Sequence, residues 1–69
     1  MSDQATEIEI GDLIRLRAYG DKVIVRRVVH IEDGVVVICR DEEYQAAQRE
    51  GRQPVAVGFH KKYVLGPAE

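Results

Sequence analysis

The 69-residue chain has no tryptophan, one cysteine, one methionine, one phenylalanine and two prolines. Each scarcity excludes something. A single thiol, Cys39, cannot close an internal disulfide, so the covalent staples of small secreted domains are absent within the chain. The soft metal ligands are Cys39, His30 and His60, and no two stand at a spacing such as Cys-x-x-Cys or His-x-x-x-His, so no metal site is expected. No apolar run approaches the roughly 18 residues of a membrane-spanning helix. The first residues, Met1-Ser2-Asp3-Gln4-Ala5-Thr6-Glu7, are acidic where a secretory signal would be basic and then apolar, which makes a cytoplasmic protein without a membrane partner the expectation. Glycines fall singly at turns, which excludes a glycine-rich phosphate cradle. A chain this short supports one core and leaves little room for a cleft walled by itself, so no catalytic residue and no cofactor site is expected.

What the chain does have is valine and isoleucine: 10 and 6 residues against three leucines. Side chains branched at Cβ are stiff at χ1 and favour a pleated surface, so the expected class is mainly β. Leu13-Ile14-Arg15-Leu16-Arg17-Ala18 alternates, with Ile14, Leu16 and Ala18 on one face and Arg15 and Arg17 on the other. Gly20-Asp21 reads as a turn into a long second strand, Lys22 to about Glu32. Asp33-Gly34, set between Val29-His30-Ile31 and Val35-Val36-Val37-Ile38-Cys39, is the pair that suits a type I′ hairpin turn.

The period then changes. Asp41 to Glu50 holds no β-branched residue, opens with acids that suit a helix N-terminus and stops at Gly51, which predicts one short helix with Tyr44 and Ala47 as its apolar stripe. Pro54 is expected to start a fourth strand, Val55-Ala56-Val57-Gly58-Phe59. His60-Lys61-Lys62-Tyr63 follows as a tight turn into a short fifth strand, Val64-Leu65. The expected organisation is a tail over residues 1–7, one domain over 8–65 and a frayed end over 66–69. Five short strands in so short a chain bury their apolar faces best by curling into a small barrel.

Long hairpin, Asp-Gly hairpin, fourth strand, single turn and short fifth strand together resemble an SH3-like barrel, and Gly58-Phe59-His60-Lys61-Lys62-Tyr63-Val64 is similar to the glycine, apolar, Pro-x-Asn-Tyr-Val ending of SH3 domains. The resemblance implies a five-stranded SH3-like small barrel, here with a helix between strands three and four where SH3 domains have a short turn. His60 stands where that motif has proline, and the tryptophan on which the SH3 peptide groove depends is missing, so the resemblance does not carry proline-rich peptide binding with it. The plasmid-borne type II dihydrofolate reductases are SH3-like barrels that build one active site from several chains. Their Val-Gln-Ile-Tyr motif is absent here, where the fourth strand reads Val55-Ala56-Val57-Gly58-Phe59.

Three readings of function follow. Val23-Ile24-Val25, Val28-Val29 and Val35 to Cys39 are apolar on both faces, whereas a monomeric barrel needs one inward face. An interaction module that forms a homo-oligomer or takes a protein partner through the outer side of the second hairpin, at Val35, Val36, Val37 and Ile38, is the leading expectation. Alternation sends one pair of those four inward and the other out. The second reading is a nucleic-acid partner on a basic first hairpin, where Arg15 and Arg17 share a face and Arg26 or Arg27 can stand across from them with Lys22 nearby. A pI near 5.6 and four scattered aromatics weigh against it. The third is an enzyme of the reductase kind, with a site shared between subunits. Arg26-Arg27 interrupts the alternation of strand two, where a bulge is expected. The structural explanation of Asp41-Glu42-Glu43 is the helix dipole, since adjacent residues point to different sides of a helix. Cys39, at the end of an apolar strand, reads as a small buried hydrophobe.

Overall fold

The computed structural model describes residues 8–68; the expected tail over 1–7 and the last residue, Glu69, lie outside the described residues. Five strands form one antiparallel sheet: β1 (Leu13–Ala18), β2 (Lys22–Glu32), β3 (Val35–Cys39), β4 (Val57–His60) and β5 (Val64–Pro67), in the order β4-β3-β2-β1-β5. One helix, α1 (Asp41–Glu50), lies between β3 and β4. The sheet bends around a single core, and no ladder joins β4 to β5, so it does not close.

β2 is long enough to serve two partners. Its first half pairs with β1, from Ala18 opposite Lys22 to Leu13 opposite Arg27, and its second half pairs with β3. The register slips between Val28 and His30, so Val29 is the extra residue of a bulge. The bulge therefore falls just beyond Arg26-Arg27, whose pairing with β1 is regular. An extra residue reverses the face of everything after it and sharpens the twist, which is how one strand can belong to both halves of a bent sheet.

The inward side carries one row of the β-branched and leucine side chains. Ile14, Leu16, Val28, Val36 and Ile38 are buried and form the core, with Ile8, Ile24, Phe59 and Val64 packed against it. The alternation of β1 thus runs as its pattern predicts. At the turn of the second hairpin, Asp33 and Gly34 both have positive φ, 40° and 82°, which the type I′ geometry requires and which an Asp-Gly pair tolerates. Gly51 ends α1 in the left-handed region at φ 68°, its N–H donating to the Ala47 carbonyl.

Two boundaries differ from the sequence reading. β4 begins at Val57, since the Val55 N–H donates to Glu43 Oε2 at 2.8 Å and is not free to join a ladder. β5 runs on to Pro67, and the Ala68 N–H donates to the Leu13 carbonyl at 2.9 Å, so the residues expected to fray are tied to β1. A register slip between Arg15 and Leu16 leaves Leu65 as the extra residue there. Between β4 and β5 the chain makes a 3₁₀ turn, Lys61–Tyr63.

Candidate functional site

The four residues expected at an interface divide two and two. Val36 and Ile38 face inward and are each 1% exposed, which removes them from the outward face of the hairpin. Val35 and Val37 face outward: Val35 lies between Glu32 and His60 of the neighbouring strands, and Val37 between His30 and Gly58. Val35 is 37% exposed and Val37 is half-buried. Cys39, next on the same outward row, is only 5% exposed although it stands apart from the main core. α1 starts two residues later and meets the sheet at Arg27 of β2, the strand partner of Cys39. Burial, together with the carboxylates of Glu43 and Asp41, pushes the Cys39 thiol up against the opposing pull of Arg27.

Arg27 organises that end. It stands opposite both Leu13 and Cys39, its Nε donates to Asp41 Oδ1 at 2.9 Å and its Nη1 to the Gly11 carbonyl at 2.9 Å, and its guanidinium lies 5.2 Å from the Tyr44 ring centre. The hydrogen bond from Arg27 holds the Asp41 carboxyl below its usual range. At the other end of the helix, Arg52 binds Glu43 and Glu50 at 2.6 Å each, and Glu43, also accepting from the Val55 N–H, is likewise held low. The first-turn acids therefore do more than answer the helix dipole: two of them anchor the helix to the sheet and to the chain that follows it.

The five basic residues of the first hairpin do not make one stripe. Arg15 and Arg17 share the outward face, but Val25 and Val23 stand opposite them, not Arg26 or Arg27. Arg26 pairs with inward Ile14 and Lys22 with Ala18, so both belong to the opposite face. Arg27 is committed to Asp41 and Gly11, and Arg17 lies 3.9 Å from Asp21. The cause is parity: with β1 and β2 in simple antiparallel register, even and odd residues of β2 cannot share a side. The fold does bring Phe59 and Tyr63 into an edge-on pair, ring centres 6.2 Å apart, which their separation in sequence conceals.

A groove of about 530 Å³ lies at the opposite end of the hairpin from the helix, lined by Ile8, Ile31, Val36 and Val64 and rimmed by Gly34-Val35 together with His60, Lys61 and Lys62. The rim is one continuous edge: Val35 pairs with His60, the Lys61 N–H donates to the Gly34 carbonyl at 2.8 Å, and the Lys62 N–H donates to His60 Nδ1 at 3.1 Å. The sequence marks His60 to Tyr63 as a turn and as part of the SH3-resembling segment, without assigning it a binding role. The available signal was two adjacent lysines in a turn next to apolar strands. Among the described residues no group of three or more His, Cys, Asp or Glu side chains could hold a metal ion, and no helix is long and apolar enough to cross a membrane. No protein-family model, curated protein or solved structure matches this chain.

Proposed function

We propose that the chain is a small non-catalytic interaction module of the SH3-like kind, and that it takes a protein partner in the groove bordered by the joined Asp33-Gly34 and Lys61–Tyr63 turns. The strand order β4-β3-β2-β1-β5 and the 3₁₀ turn before β5 support the SH3-like assignment. The observation that carries the functional reading is the groove itself: an aliphatic lining rimmed by two turns that are hydrogen-bonded to each other. Selection of displayed random peptides against the full chain tests it. Enriched peptides should shift backbone amide resonances of Ile31, Gly34, Lys61 and Val64 and should bind an Ile31→Ser variant more weakly. A selection that enriches nothing, or peptides whose shifts fall elsewhere, would overturn it.

Self-association is a second reading, favoured by apolar side chains that the fold leaves in water on the outward face: Val23 is 56% exposed and Val25 43%, with Val35 beyond them. These lie on β2 and β3 away from the helix, so the expected surface shifts from Val36 and Ile38 to outward residues of both hairpins. Sedimentation over a range of concentrations tests it, and a constant monomer mass would dispose of it.

A further inference from the structure

We infer that the groove selects an extended peptide in which aliphatic residues stand next to carboxylates. This rests on the reading of the groove as a docking site and adds the chemistry of its occupant. The floor is aliphatic throughout, Ile8, Ile31, Val36 and Val64, and the charged lining groups, Lys61 and Lys62 with the titratable His60 beside them, include no acid. Elsewhere Arg27 is answered by Asp41, Arg52 by Glu43 and Glu50, and Arg17 by Asp21, whereas no carboxylate lines this groove. Among the described residues neither Lys61 nor Lys62 forms an ion pair, and the Lys62 ammonium rests 5.4 Å from the Tyr63 ring centre.

Their backbone N–H groups are used, one by Gly34 and one by His60. No amide cradle for a phosphate therefore remains at these two residues, and recognition falls to ammonium groups acting as point charges. An oligonucleotide would also ask for a stacking surface, and an aliphatic floor provides none. A peptide with aliphatic side chains can use that floor, which a nucleotide base cannot stack on.

The test uses two fluorescent peptides of about ten residues, each with leucines spaced by two, one with glutamates between them and the other with glutamines. Fluorescence anisotropy with the full chain should give the glutamate peptide an affinity about tenfold higher, with the advantage shrinking as salt is raised. A Lys61→Glu, Lys62→Glu double variant should erase the difference while circular dichroism stays unchanged. If both peptides bind equally and both weaken with Ile31→Ser, the groove is a docking site and the acidic preference is wrong. If neither binds and displayed peptides fail as well, the docking reading itself fails. Tighter binding of a single-stranded oligonucleotide that displaces the glutamate peptide would overturn the inference in favour of phosphate. Binding that appears only after residues 1–7 are removed would make the chain's own acidic segment the occupant.

Discussion

The outward face of β3 has two ends that differ in cover though not in apolar character. Cys39 is 5% exposed beside the start of α1, while Val35, four residues earlier on the same face, is 37% exposed. Apolar demand alone does not decide which end the helix takes. A ten-residue helix is about 15 Å long and can cover only part of the face. Its place is set by connectivity, since α1 starts two residues after Cys39, and by Arg27 on Asp41, while Arg52 on Glu43 and Glu50 and the Gly51 cap fix how the chain leaves it. The other end has no such anchor: Val35 stays exposed there, and the groove lined by the inward Ile31 and Val36 lies behind it. One sheet thus has an end clamped by the helix and an end that the chain leaves uncovered.

The largest expected effect separates inside from outside on one strand. Val36→Lys puts an unpaired ammonium into a site 1% exposed, at a cost of about 3–5 kcal/mol, comparable with the whole stability of so small a domain. It should unfold the chain, read as loss of the far-ultraviolet β signal and of the thermal transition. Val35→Lys, one residue away and outward, should stay folded. Equal melting temperatures for the two variants would contradict the register.

Next comes the clamp. Arg27→Met keeps the aliphatic stem and removes three hydrogen bonds, leaving the Gly11 carbonyl and Asp41 without their partner. Because Asp41 is nearly half exposed, the loss should be about 1–2 kcal/mol, or roughly 5–15 °C in melting temperature. Arg27→Lys should recover little of it, since an ammonium cannot reach a carboxylate and a carbonyl in the same forked geometry. Tyr44→Ala, half-buried under the same guanidinium, should cost less than truncation of a fully buried ring.

Acid sharpens the same contrast. Asp41 and Glu43 have carboxyls held low in the folded chain by Arg27 and Arg52. A lowered folded pKa stabilises above the unfolded value and loses that contribution as pH falls through the folded one, so the clamp should weaken below about pH 4. Melting temperature against pH should therefore bend downward there, and Asp41→Asn should flatten the bend while lowering the plateau at neutral pH. An acid profile identical in the variant would mean that the Asp41 pair contributes nothing to stability.

Much of this architecture was legible in local chemistry. Asp33-Gly34 marks its hairpin because two positive φ angles leave few other residue pairs, and the acids at Asp41 with Gly51 mark the helix because dipole and cap act within one turn. What was not legible depends on partners distant in sequence. Whether Val36 or Val37 faces inward is decided by the bulge at Val29, and Val55 leaves the ladder only because Glu43 captures its N–H. Arg27 shows the limit for the site: its charge suggested a nucleic-acid surface, while its position opposite both Leu13 and Cys39 makes it a structural clamp. The groove escaped notice because its floor comes from four separate segments, around Ile8, Ile31, Val36 and Val64.

The smallest expected effect on stability tests the open surface. Val23→Thr and Val25→Thr exchange a methyl for a hydroxyl at positions 56% and 43% exposed, where the new group is solvated and the strand keeps a β-branched residue. The melting temperature of the double variant at low concentration should change by no more than about 0.5 kcal/mol would produce. Mass is where the two readings part. If the outward valines join copies of the chain, the wild type should sediment above monomer mass at high concentration and the double variant should return to monomer. If they are ordinary surface, both should sediment alike, and binding in the groove should be untouched, because Val23 and Val25 do not line it.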